Sequence, residues 1–294
     1  GLGVMQAAGT GGLPKNVTQA AARYKKACDG GGGEGCFRLG LAHEAGEGVP
    51  KDVAQAAALF TKACDGGEPR GCHGQGRLVA PKDVVKAAAL FKQACDGNVG
   101  EGCYELGAAH SRGRGVAADL NLTVQNYDKA CNLKEARGCY ELGVFYEGGH
   151  GAARDQAKLV LYLNRSCDFG DVRGCGRLGR VLQSGEGGVQ FDYAGAKKAL
   201  TKAGDGGVGT DCFELARLYQ RGDARTPRDL ARAAVVVERK GGERQPARRG
   251  ELRVRHLQRQ PSRARVASFH RRARPARREN GQARRPGRAR LRVR

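Results

Sequence analysis

The chain has no tryptophan, one methionine, and only 5% aromatic residues among 294 positions. So few large rings suit small helices that pack closely rather than a core built on bulky side chains. No run of eighteen apolar residues occurs, which excludes a transmembrane helix. The chain opens at Gly1 without a charged n-region and apolar run, so no secretory signal is visible.

Acidic residues are scarce in one place above all. The formal net charge is +22, but residues 239–294 carry 20 arginines, one lysine and three glutamates, a net +18, which leaves +4 for the first 238 residues. The two parts need separate explanations. The arginine-rich segment has no cysteine and almost no apolar periodicity, so it reads as a disordered tail. It fits either a polyanion-binding arm or an out-of-frame translation of GC-rich DNA. The scarcity of lysine favours the frameshift, placed near Glu238, and resequencing would decide.

What the sequence has in quantity is glycine, at 47, and cysteine, at 11. Ten cysteines form pairs eight positions apart: Cys28 and Cys36, Cys64 and Cys72, Cys95 and Cys103, Cys131 and Cys139, Cys167 and Cys175. Set in register, the segments from Cys36, Cys103 and Cys139 repeat with a period of 36 residues, whereas the unit from Cys72 lacks five residues. Each unit reads as two helices. The first starts at the second cysteine with apolar residues at helical spacing and ends in a glycine cluster. The second opens on a residue of N-cap type: Asn16, Asp52, Asp83, Asp119, Asp155, Asp192 or Asp229. A helix pair of this size cannot bury its apolar face alone, so the expected fold is an all-α solenoid of about six stacked pairs over residues 1–238. A defective unit is expected near 72–95, with a local bend.

Two cysteines eight apart on one continuous helix would lie roughly 12 Å from each other, too far for a disulfide. The glycine-rich segment between them ends the helix and reverses the chain, which brings them together. Structural disulfides fit the constant spacing best. Zinc sites favour shorter knuckles, and five near-identical copies argue against a specialised redox thiol. Gly204 stands where a cysteine is expected, which leaves Cys212 as a free thiol. Neither cofactor nor metal is expected, and the disulfides imply a secreted or periplasmic protein.

The unit "LGxxYxxGxGVxxDxxxAxxxFxKA", with Leu39, Gly40, Gly46, Gly48, Val49, Asp52, Ala56, Phe60, Lys62 and Ala63 in place, resembles the Sel1-like repeat, a relative of the tetratricopeptide repeat. The "KACDGG...GC" junction resembles the cysteine-rich members typified by the Helicobacter cysteine-rich proteins. Leu2 and Gly3 align with Leu39 and Gly40, so the chain is expected to enter mid-unit with sequence missing upstream. The resemblance implies a tetratricopeptide-like solenoid, and the family's association with β-lactamase and penicillin-binding activity raises a hydrolase as an alternative. The S-x-x-K, S-D-N and K-T-G elements of a serine β-lactamase do not occur. The histidines are scattered, with His43 and His110 at a position that holds Tyr146 and Tyr219 in other units.

The favoured function is therefore protein interaction, with a peptide or cell-envelope partner, including a cell-wall fragment, on the concave face of first helices. Two residues after each helix-opening cysteine stand Arg38, Gly74, Glu105, Glu141, Arg177 and Glu214. The charged members of this column are the candidate binding residues. Nucleic acid is a partner only if the basic tail is genuine.

Overall fold

In the computed structural model the described residues are 2–10, 14–149, 153–185, 188–207, 209–223 and 226–241. Fourteen α-helices, and no strand, occur among them: α1 (Leu2–Ala8), α2 (Val17–Asp29), α3 (Gly33–Ala45), α4 (Val53–Asp65), α5 (Pro69–Val79), α6 (Val84–Asp96), α7 (Gly100–Arg112), α8 (Leu120–Asn132), α9 (Ala136–Gly148), α10 (Gln156–Asp168), α11 (Val172–Ser184), α12 (Tyr193–Asp205), α13 (Gly209–Arg221) and α14 (Leu230–Gly241). They form seven pairs, one more than the period suggests, because the short α1 already packs on α2. The expectations for the arginine-rich segment lie outside the described residues from position 242 onward.

Odd-numbered helices are called A and even-numbered helices B. Each helix packs on its sequence neighbours, and from α3 to α13 each A helix also touches the next A helix. The A helices thus form a continuous row.

Local chemistry sets the boundaries. Asp52 caps α4 by accepting a hydrogen bond from Gln55 N at 2.9 Å, and Asn16, Asp83, Asp119, Asp155 and Asp192 cap their own B helices in the same way. At each junction the third residue after the first cysteine turns left-handed: Gly31, Gly67, Asn98, Lys134 and Gly170 have φ between 61° and 96°. The next amide then bonds back, as Glu68 N does to Ala63 O at 2.9 Å, and the chain reverses into the following A helix.

The core runs lengthwise and is made of alanines, the cysteines, leucines of the A helices such as Leu39, Leu106, Leu142, Leu178 and Leu215, and a large side chain eight residues after each B-helix cap. Phe60, Phe91, Tyr127, Leu163 and Leu200 fill that position and are buried. Each lies under the glycine of the Leu-Gly pair in its partner helix, or its equivalent. A Cβ on Gly107 would stand 2.7 Å from the Tyr127 ring, so the close helix approach requires glycine there.

The reversals bring the cysteines together. Cys28–Cys36, Cys64–Cys72, Cys95–Cys103, Cys131–Cys139 and Cys167–Cys175 are disulfides with Cα–Cα distances of 4.4 to 4.6 Å. Each ties the last turn of a B helix to the first turn of the next A helix. Cys212 is buried and forms no disulfide.

The geometry of a sixth bond is nevertheless in place. A Cβ on Gly204 would stand 2.9 Å from Cys212 Sγ, close to the separation of about 3 Å that standard disulfide geometry gives between one Cβ and the opposite sulfur. Gly204→Cys is therefore expected to oxidise without rearrangement and to raise stability by about 2 kcal/mol. Thiol titration of the denatured variant should count zero free thiols. Two titratable thiols would show that the junction cannot close.

The shortened unit keeps its pairing. In full units the cap residue's amide bonds to the carbonyl of the seventh residue after the cysteine: Asp52 N to His43 O, Asp119 N to His110 O, Asp155 N to Tyr146 O. Asp83 N makes this bond to Val79 O at 2.9 Å, also the seventh residue after Cys72. The five-residue loss falls wholly between closure carbonyl and cap. It shortens α5 to 11 residues against 13 in α7 and leaves the packing of α5 on α6 intact.

Candidate interaction surface

Along each A helix the cysteine, the leucine three residues later and the following glycine face the core. The residues at one, two and five positions after the cysteine lie on the other side, on the row of A helices. The structure places the charged column there and commits most of it. Arg38 pairs with Glu34 one turn earlier at 2.8 Å. Glu105 meets Arg137 of the next A helix at 3.5 Å. Arg177 of α11 pairs with Glu147 of α9, and Glu214 with Arg217 at 3.1 Å. Two of these contacts tie neighbouring units, so the column braces the row as well as decorating it. Glu141 differs. It is half-buried, forms no ion pair among the described residues, and its carboxyl is held above the usual range by burial, against the pull of Arg173 and Arg112. Gly74 is buried against the Phe60 ring.

A second motif on the same row escaped sequence reasoning. Arg70, Arg137 and Arg173 each stand two residues before a helix-opening cysteine. Their guanidinium groups stack over Phe37, Tyr104 and Tyr140 of the preceding unit at 5.0, 4.2 and 4.8 Å. Each arginine is held from below by the acid two residues earlier: Glu68 at 2.8 Å, Glu135 at 2.6 Å and Asp171 at 2.9 Å. That acid also caps the A helix by accepting from the arginine's own amide. One carboxylate thus serves as helix cap and as anchor for a cation over a ring. The signal was present as "EPRGC", "EARGC" and "DVRGC".

The histidines at the tyrosine position serve the turns. His43 Nδ1 lies 3.1 Å from the Pro50 carbonyl and His110 Nδ1 3.1 Å from that of Ala117, so each ring donates across its own exit loop. No group of three or more metal-ligating side chains occurs among the described residues.

The last junction is built differently. Asp211, 1% exposed, stands where the other units carry Gly35, Gly71, Gly102, Gly138 and Gly174. Its carboxylate pairs with Arg180 of α11. Space for it comes from Gly176, which stands where other units carry Phe37, His73, Tyr104, Tyr140 or Phe213; a Cβ on Gly176 would meet Asp211 Oδ2 at 2.2 Å. Burial pushes the Asp211 carboxyl upward and Arg180 pulls it down.

Paired helices in a continuous row with periodic disulfides define an α-helical repeat solenoid with crosslinked junctions. The Sel1 repeat family matches residues 1–32, 33–68, 71–99, 100–135, 136–169 and 211–234. The chain belongs to the Sel1 repeat family. Among solved structures it is similar to a protective antigen of uropathogenic Escherichia coli strains displaying an SLR fold, at 24% identity and a TM-score of 0.68 over 87% of this chain and 56% of that one. It therefore spans little more than half of that antigen. It is also similar to a Sel1 repeat protein from Oxalobacter formigenes, at 19% identity and a TM-score of 0.66 over 84% of this chain and 97% of that one. Helicobacter pylori cysteine rich protein B shares 32% identity over 44% of this chain and 96% of its own, with a TM-score of 0.37. A comparison with curated proteins finds no match.

Proposed function

We propose that this chain is a protein-binding scaffold that works outside the cytoplasm and receives its partner along the row of A helices. The observation that carries the reading is the row itself. Successive A helices touch from α3 to α13, and they present partly exposed aromatic and charged side chains that the core does not use. Repeat stacks of this kind gain a long preformed surface, and preformed surfaces bind with little ordering cost. The five disulfides support an oxidising compartment. No described helix is long and apolar enough to cross a membrane. No observation favours the hydrolase alternative.

The test is capture of a partner by the oxidised full chain, followed by variants. Glu141→Ala on the A row should weaken binding at least tenfold, whereas Leu161→Glu, on an exposed B-helix position, should leave it unchanged. The reverse pattern would move the partner to the B helices and overturn the proposed face. Protein taken directly from its compartment should show ten of eleven cysteines oxidised. Eleven free thiols would overturn the extracytoplasmic assignment.

A further inference from the structure

The shortened unit borders a groove on the row whose rim charge is not shared by its counterpart between α1 and α3. Between α5 and α7, with α6 as its floor, lies a groove of about 220 Å³. Its floor includes Ala87, Ala88 and Phe91, all buried, and its rim carries Arg77, Arg112 and Arg114 against one acid, Glu105. Because α5 stops two residues short and its exit loop is missing, the α5 wall is low at the end where these arginines gather.

The charge is specific to this place. The corresponding groove two units earlier, between α1 and α3, carries Ala45 and Glu47 where this one carries Arg112 and Arg114, and its rim mixes acids with bases. Here the acid is partly engaged, since Glu105 meets Arg137. Arg77 pairs with Glu44 at 2.7 Å, but neither Arg112 nor Arg114 forms an ion pair among the described residues, and both are exposed. Arg114 is held in position by its neighbours. Gly113 and Gly115 are left-handed, and Gly115 lies so close to the Val84 carbonyl that a Cβ there would stand 2.0 Å from it, so the loop is pinned to the start of α6.

We propose that this groove binds an acidic peptide segment, with a short aliphatic side chain on the alanine floor and a neighbouring carboxylate at Arg112 and Arg114. The inference rests on the scaffold reading above and names its partner chemistry. Guanidinium groups match carboxylates in planar, bidentate geometry. The groove is smaller than the roughly 300 Å³ at which pockets begin to hold drug-sized molecules, which argues against a nucleotide or an organic cofactor. Phe91 is buried and offers no stacking platform for a base.

Selection of random heptapeptides displayed on phage against the oxidised full chain tests the proposal. The selected pool should be enriched in Asp or Glu beside Ala, Val or Leu. Its leading peptide should bind the Arg112→Glu/Arg114→Glu variant at least tenfold more weakly, with Arg112→Lys/Arg114→Lys in between, and should weaken with added salt. Unchanged circular dichroism and an unchanged count of one free thiol would show that the variants fold. A pool without acidic enrichment, an empty selection, or equal binding to the charge-reversed variant would overturn the proposal. A natural partner that still binds the charge-reversed variant but is lost with Glu141→Ala, which lies outside the groove, would overturn this groove and leave the scaffold reading standing. Loss of neither would overturn the scaffold face itself.

Discussion

Reduction of the five disulfides is expected to lower the thermal unfolding midpoint of the chain by about 20 °C or more. Each bond closes an eight-residue loop, worth about 2.5 kcal/mol in loop-closure entropy. Five such bonds therefore represent on the order of 10 kcal/mol, comparable to the whole net stability of about 5–15 kcal/mol of an ordinary domain. The core has little to set against that loss. Among the described residues more than half of the buried apolar positions are alanine or cysteine, the rest being mostly leucine with a few aromatic rings, and alanine contributes little burial energy. Circular dichroism melts of oxidised protein and of reduced, alkylated protein would measure the shift. An unchanged midpoint would show that helix packing alone sustains the stack. Because stability in a solenoid is close to a sum over neighbouring units, removing one bond, as in Cys95→Ala/Cys103→Ala, should cost about a fifth of the total and act mainly on α6 and α7.

Most of the fold was legible in the sequence because three signals recur along it: an Asp or Asn at the B-helix cap, a left-handed turn after the B helix, and a large side chain eight residues after the cap. Each is local, so spacing alone reveals it. The two non-glycine turn residues, Asn98 and Lys134, show that the signal lies in the turn position rather than in glycine itself. The unit from Cys72 lacks five residues, yet its closure bond to the seventh carbonyl is the one the full units make. A loop deletion outside a hydrogen-bonded closure is absorbed by the loop. The candidate surface was less legible. Membership of the charged column follows from period, but whether Arg177 is available or bound to Glu147 depends on how neighbouring units rotate against each other, which no single repeat encodes. The arginine-over-ring ladder lay in plain sight as "RGC", but its partner ring lies 33 residues back, in the preceding unit.

The last junction shows what a lost disulfide demands of its surroundings. Three departures from the repeat meet at one point: Gly204 for cysteine, Asp211 for the glycine that normally allows close helix contact, and Gly176 for a ring. Any one alone would be unfavourable. Asp211 without the space at Gly176 would clash, and Asp211 without Arg180 would bury an unpaired charge. Together they exchange a covalent tie between B and A helices for an ion pair between successive A helices. Arg180→Ala is accordingly expected to destabilise the chain by about 2–3 kcal/mol at pH 7.5, below the range for a fully buried pair because Arg180 itself is partly exposed. The sign of the pH dependence follows from Asp211. Its carboxyl is already raised by burial, with Glu214 adding to the rise and Arg180 opposing it. Removing Arg180 lifts it further, so the folded variant favours the protonated acid more than the unfolded chain does. Its deficit is then largest above the folded value and shrinks as pH falls through that value toward the ordinary carboxylate range. Urea unfolding of both proteins at pH 7.5 and 4.5 would measure the difference, and comparing variant with parent at each pH cancels titrations common to both. A cost that stays constant with pH would show that Arg180 acts through packing alone. In Arg180→Ala/Asp211→Asn the buried charge is gone, so most of the loss should be recovered; if it is not, the ion pair is not what holds this junction.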